Sequence, residues 1–266
     1  KRFGLEARQV VLSTTHTHAG PATVPLILCG DYDEEYALRM QADFQRVAER
    51  AIARLEPVSL VSAEGRCALA VDRRKTASAH TDPRIGLVGW LRRDGTLAAV
   101  MANYAMHPVA LSYHNRHISG DVAGAAATAL SARLSGRPTV LFTTGAAGNT
   151  NPPASGTDFQ QVSAWGDMLA EAAQIALAAP TSADTDRLDT ARVEFGIPLE
   201  SLDPDRIHSI ARKITAAVVN DGTYEGRRYH AAVECWRQKM LEQWNLGSLP
   251  TSARVELQLI SIGDVD

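Results

Sequence analysis

Read for the spacing of its apolar residues, the chain alternates between short strands and helices. "QVVLSTTHT" (Gln9–Thr17) has a strand pattern, which sets His16 and His18 on one face and Thr15 and Thr17 on the other. Asp31–Pro57 reads as one long amphipathic helix. Acidic residues crowd its first turns, Pro57 follows its end, and Tyr36, Leu38, Met40, Phe44, Val47, Ala51 and Ile52 approximate an apolar stripe. "VSLVSAEGRCALAV" gives two short strands, and "GLVGWLRRDGTLAAVMANYAMHP" a hairpin turning at Asp94-Gly95. "GDVAGAAATALSARLSG" predicts an alanine-rich helix capped by Asp121 and ended by Gly136. "PTVLFTTGAAGNTNPP" predicts a buried strand running into a glycine loop. Further helices are expected over Phe159–Ala179, Arg206–Val219 and Gly226–Gln243, and "ARVELQLISIGDVD" alternates as a terminal strand.

No internal repeat or low-complexity linker interrupts this order. Intermingled strands and helices predict an α/β (α+β) fold, a mixed β-sheet sandwich with flanking helices, in a single domain over residues 1–266. The chain opens almost directly on a strand pattern and closes in the middle of another. It therefore reads as a piece of a longer polypeptide, incomplete at both ends, and cytoplasmic and secreted locations stay equally open.

Composition narrows the partners. A length of 266 residues with 45% apolar content suffices for a substantial core. A net charge of −3 without any Lys/Arg block argues against nucleic acid or an anionic membrane surface. No apolar run reaches the roughly 18 residues of a membrane span, so no transmembrane segment is expected. Cys29, Cys67 and Cys235 are odd in number and form no CxxC, which disfavours a disulfide framework or a thiolate zinc site. They read as buried small apolar residues.

Three polar clusters follow apolar strands: His16 and His18 after "QVVL", His107 after "LAAVMANYAM", and "GAAGNTNP" after "TVLF". Ligands in open α/β sheets collect at the carboxyl ends of strands, so the candidate site lies there. Taken alone, the HxH pair fits a metal or catalytic site as well as hydrogen bonding at a strand end. His107 alone fits a satisfied histidine before a turn proline. Together they suit a zinc half-site, His16 with His107, although a catalytic zinc wants about three protein ligands and no HExxH is present.

"STTHTHAGP", "DRR", "ANYAMHP", "NRHISGDVAG" and "TTGAAGNTNP" together resemble, in the same order, the motifs of the neutral/alkaline (non-lysosomal) ceramidase family. That family carries THTHSGP, an Asn-Arg motif, VHP, a segment like NRxxSSDxxG, and a GD-x-S-P loop. The resemblance runs over about residues 8–152 and returns in "ELQLISIGDVD". It implies Zn²⁺ held by His16 and His107, with a Glu and a Tyr beyond Asp266 completing the set. It also implies that His18 and Arg73, with the adjacent Arg74 as an equal alternative, contact the reacting end of a small-molecule amide or lipid-like substrate.

One departure redirects the chemistry. "GNTNP" puts Asn151 where the family has its nucleophilic serine and Asn149 where it has aspartate, and an amide side chain cannot attack a carbonyl. Thr150 is one position off. The reading is therefore a zinc-dependent hydrolase of a linear amide (N-acyl) bond, using metal-activated water instead of serine. His18 and Arg73 would stabilise the oxyanion, Asn149 and Asn151 would donate hydrogen bonds, and Asp121 would cap its helix or join the site. The alternative is a non-catalytic metal- or ligand-binding relative of the same fold.

Overall fold

The computed structural model describes residues 3–6, 9–25, 30–74, 77–183, 188–217 and 224–263. Helix α1 (Glu34–Ile52) begins after Asp33, whose carboxylate accepts the Tyr36 N–H at 2.8 Å, and its first turn carries Glu34 and Glu35. The expected apolar stripe is not a buried face: Leu38, Phe44, Val47 and Ile52 are exposed, and Ala37 is the helix's buried residue. Strands β1 (Ser59–Arg66), β3 (Arg84–Leu91), β4 (Leu97–Tyr104), β5 (Thr139–Thr144) and β7 (Thr181–Ala183) form one mixed sheet in the order β5-β4-β3-β1-β7. Within this sheet the β4–β5 pair is parallel and the β1–β3, β3–β4 and β1–β7 pairs are antiparallel. The Asp94-Gly95 turn joins β3 to β4 as expected, with Gly95 at a φ of 83° that favours glycine. Two further two-stranded sheets pair β2 (Val71–Asp72) with β6 (Thr150–Asn151), and β8 (Leu188–Pro198) with β9 (Ser252–Ile262).

Helices α2 (Asp121–Arg133) and α3 (Phe159–Leu177) pack against each other and against this sheet. Alternate residues of β3 and β4, Ile85 and Leu87 with Val100, Ala102 and Tyr104, supply the sheet's side of the core. Val122, Ala126 and Leu130 of α2, with Val162, Trp165 and Leu169 of α3, supply the helical side. Tyr104 is buried without an orphaned hydroxyl: it donates to the Cys67 carbonyl at 2.8 Å and accepts the Ala70 N–H at 3.0 Å. Cys67 is buried as expected, Cys235 is exposed, and Cys29 lies outside the described residues.

The chain forms two compact units: Lys1–Gly20, Ala42–Ala191 and Leu259–Asp266 in one, Pro21–Gln41 and Arg192–Gln258 in the other. The second holds α4 (Pro204–Ala217) and α5 (Tyr224–Asn245), which pack together. All the sequence-predicted site residues fall in the first unit. One strand expectation needs correction. Gln9–Thr17 is not a strand, because its residues join no ladder among the described residues and His16 has a φ of 60° that breaks the extended backbone. The terminal strand β9 does form, but pairs with β8, a strand the sequence pattern did not single out. The chain end at Asp266, beyond which the resemblance implies the remaining metal ligands, lies outside the described residues.

The α2–α3 crossing depends on Gly166, where an added Cβ would meet Ala125 Cβ at 2.5 Å and the Ala126 backbone nitrogen at 2.8 Å. Replacing Gly166 by Ala should force the helices apart and cost about 1–3 kcal/mol. A lowered urea midpoint at unchanged m-value would show it; an unchanged midpoint would contradict this packing.

Candidate metal and hydrolytic site

Two strand exits define the site. The parallel register sets Tyr104 opposite Thr144, so the segments leaving β4 and β5 emerge side by side. The β4 exit carries His107, and the β5 exit is the loop Gly145–Asn149. Gly145 must lack a side chain: an added Cβ would meet Asn103 Oδ1 at 2.9 Å and the Ala105 Cα at 3.2 Å. The two exits are tied together when the His107 N–H donates to the Thr150 carbonyl at 3.1 Å and Gly145 N–H to the Tyr104 carbonyl at 3.0 Å.

His107 Nδ1 lies 3.0 Å from the Ala147 carbonyl oxygen. A carbonyl only accepts, so Nδ1 carries the proton and Nε2 presents its lone pair. A metal-binding imidazole needs its opposite nitrogen held in this way.

The HTH segment reaches the same place through a bend. With φ at 60°, His16 turns the chain so that the rings of His16 and His18 meet edge-on at 81°, their Nε2 atoms 3.4 Å apart. Hydrogen bonds at its flanks hold the bend. Thr144 Oγ1 donates to the Thr15 carbonyl, and Thr17 Oγ1 to the Ser119 carbonyl, both at 2.8 Å. Ser119 N–H returns a bond to the Ala19 carbonyl at 2.9 Å.

The three imidazoles converge. Ring centroids are 4.6 Å apart for His16–His107, 5.0 Å for His16–His18 and 5.4 Å for His18–His107. One ring nitrogen from each lies within 4.8 Å of the others. Two nitrogens on a tetrahedral zinc, at bonds of about 2.0–2.1 Å, sit about 3.3–3.4 Å apart, so the group fits a divalent metal after small adjustment. His16 and His18 are exposed and His107 is half-buried. The His18 pKa is pushed below the usual imidazole value, first by loss of water around the ring, then by His16, His107 and the Arg73 guanidinium, with Asp121 opposing. His18 thus favours the neutral form that ligates.

Asp121 sits behind this cluster and does not cap α2 as expected. Gly120 occupies the cap position without a side-chain bond, while Asp121 begins the helix at a φ of 54°. Its carboxylate, 1% exposed, accepts the N–H groups of Ala110, Leu111 and Val122 at 3.2, 2.9 and 2.7 Å. It fastens the segment after His107 to the helix start and is not among the clustered ligands.

The β2–β6 pair brings Arg73 to the glycine loop. Arg73 N–H donates to the Asn149 carbonyl at 2.8 Å and Nη2 to the Gly148 carbonyl at 2.7 Å. Arg74 instead grips Asp72 with Nε and Nη2 at 3.1 and 2.7 Å. Asn149 donates both amide hydrogens internally, to Asp72 Oδ2 at 2.9 Å and the His80 carbonyl at 2.8 Å. Asn151 pairs with Val71, and its buried Oδ1 has no hydrogen-bond partner among the described residues. Thr150 is 1% exposed and its hydroxyl donates to the Ala105 carbonyl at 2.9 Å. Sequence reasoning missed Asp72 and the Ala147 carbonyl. "DRR" contained the first, whereas a backbone acceptor leaves no mark in residue types.

No protein-family model and no curated protein matches the chain. Among solved structures, a ceramidase complexed with C2 superposes with a TM-score of 0.59 at 22% identity, over 68% of this chain and 32% of that one. A neutral ceramidase from Pseudomonas aeruginosa superposes with a TM-score of 0.61 at 16% identity, over 94% of this chain and 46% of that one. The chain spans less than half the length of either structure. At these identities the likeness is one of architecture, and on it the chain has the fold of the neutral ceramidases.

Proposed function

We propose that the chain belongs to a zinc-dependent hydrolase of linear amide (N-acyl) bonds, acting on a ceramide-type or similarly lipid-like small molecule. The observation that carries this reading is the convergence of His16, His18 and His107 within 4.8 Å of one another, beside two strand exits. His16 and His107 hold the ion, and His18 supplies the third nitrogen, the number of protein ligands a catalytic zinc needs beside an open position. When bound, the metal lowers the pKa of water and polarises the acyl carbonyl.

The remaining work falls to the chain's own residues. The Ala147 carbonyl holds the His107 proton on Nδ1 and keeps Nε2 free. Arg73, fixed on the Gly148 carbonyl, sets a positive charge near His18, where it stabilises negative charge developing on the acyl oxygen. Asn149 spends its amide on Asp72 and His80, so of the two asparagines it is Asn151, in β6 just after the loop, that is left to donate toward a bound substrate. Thr150 is excluded as a nucleophile by burial and by its bond to Ala105.

One zinc ion per chain is expected by metal analysis after removal of adventitious metal. Replacing His16, His18 or His107 by Ala should each lower the affinity at least about 10-fold, as loss of one ligand from a three-nitrogen set requires. Full zinc affinity in His18→Ala alone would return His18 to a substrate-facing role. Unaltered binding in all three variants would sink the site.

Turnover should proceed without a covalent acyl-enzyme. Intact-protein mass spectrometry during hydrolysis of a simple N-acyl amide is expected to show no acylated chain, and Asn151→Ala to retain the reaction pathway. An adduct on Thr150 would contradict the metal-water reading. Bound zinc with no hydrolysis across a panel of such amides would favour the non-catalytic binder.

A further inference from the structure

Asp72 is the most heavily hydrogen-bonded side chain near the site, and nothing in the proposed chemistry uses it. Its side chain is 3% exposed. Oδ1 accepts the Arg74 N–H and Nε at 2.9 and 3.1 Å, and Oδ2 accepts Arg74 Nη2, His80 N–H and Asn149 Nδ2 at 2.7, 3.0 and 2.9 Å. These bonds, the Arg74 side chain foremost, hold the carboxyl far below the usual carboxylate range.

The contact with Asn149 leads to the histidines. Asn149 ends the loop whose Ala147 carbonyl holds His107 Nδ1, and the next residue, Thr150, holds the His107 N–H. Asp72 also faces Thr150 directly in the β2–β6 ladder, and Arg73 is the next residue along. Asn149 Nδ2 divides its two hydrogens between Asp72 and the His80 carbonyl, so the side chain stitches the segment around His80 to the loop through a single nitrogen. A glycine loop with two glycines among its five residues has little intrinsic order, and this stitch restrains its Asn149 end beside the bonds that Arg73 makes to the Gly148 and Asn149 carbonyls.

We propose that Asp72 is a positioning residue for His107: its carboxylate, acting through Asn149, fixes the Gly145–Asn149 loop so that the Ala147 carbonyl holds the His107 ring in its ligating tautomer. The His107 orientation stands on the protein alone, and only the zinc readout below rests on the proposed metal chemistry.

Asp72→Asn puts an NH₂ where Arg74 and His80 now donate. Asn149→Ala removes the stitch from the other side and leaves the Asp72–Arg74–His80 contacts intact. Both are compared with wild type by ¹⁵N-histidine NMR of the metal-free protein and by zinc competition, after circular dichroism confirms folding. The His107 Nδ1–H signal should be present in wild type and lost or rapidly exchanging in each variant. Zinc affinity should fall about 10-fold or more, the range seen when an outer-shell partner of a ligand is removed. The double variant should be no weaker than the weaker single, because both act through one contact. If Asp72→Asn fails to fold, Asn149→Ala decides by the same two measurements. An unchanged Nδ1–H signal in the folded variants, or zinc losses that multiply in the double, would overturn the proposal. Absence of zinc binding in wild type would instead overturn the metal reading, and the NMR comparison would still decide the role of Asp72.

Discussion

Parallel pairing of β4 with β5 puts Tyr104 opposite Thr144, and the chemistry at this end of the sheet descends from that register. Two chains leaving a sheet in the same direction at the same level cannot diverge at once. Here they exchange backbone bonds, Gly145 to Tyr104 and His107 to Thr150. The exchange requires glycine at position 145, because Asn103 and Ala105 stand where a side chain would be. Once the exits are tied, a carbonyl of one faces the imidazole of the other. A slip by one residue would turn the facing side chains of β4 away from the core and remove Ala147 from His107.

Backbone strain concentrates on the same spot. His16 and Asp121 both hold positive φ without being glycine, at a cost of order 1–3 kcal/mol each. Each is over-determined by neighbours. The hydroxyls of Thr17 and Thr144 fasten the backbone around His16, and three amides converge on the Asp121 carboxylate. The two strained residues communicate through Ser119, which bonds the HTH turn on one side and the Asp121 N–H on the other at 3.0 Å. The His16 bend and the start of α2 are thus joined in one hydrogen-bonded assembly beside the histidine rings.

Much of this was legible in residue types. The hairpin at Asp94-Gly95, the alanine-rich α2 and α3 all follow from spacing and turn chemistry, because local rules govern them; the strand into the glycine loop also forms, but β5 lies at the sheet edge and is not the buried strand that its apolar run predicted. Histidines 16, 18 and 107 were legible as a group for a different reason: polar residues after apolar runs mark strand exits. The route by which HTH reaches the site was not legible. A strand was expected from "QVVLSTTHT", yet the segment's carbonyl at Thr15 is taken by the Thr144 side chain and not by a ladder. Alternation predicts a strand only where an edge is available to pair with. Nor could sequence spacing show β8, whose residues are largely exposed and whose pairing with β9 is stabilised by ion pairs such as Arg192–Glu256 at 2.5 Å.

The departures from the resembling motifs make physical sense once the loop is seen. With the resembling Asn-Arg motif set on Arg73, and not on the adjacent Arg74 that fits it equally, its asparagine falls on Asp72, and the aspartate of GD-x-S-P falls on Asn149. These two positions touch, Nδ2 to Oδ2 at 2.9 Å. An acid on one side and an amide on the other hold that bond with either assignment, but placing the acid at position 72 sets it beside the Arg74 fork and the His80 N–H. It also leaves Asn149 a second hydrogen for the His80 carbonyl, which a carboxylate would repel. Two differences that separately look like losses are therefore one rearrangement of charge that keeps the loop in place. The change at position 151 has no such counterpart: its buried Oδ1 lacks a partner among the described residues, and an amide there replaces the hydroxyl of the resembling serine motif with a group that cannot attack a carbonyl.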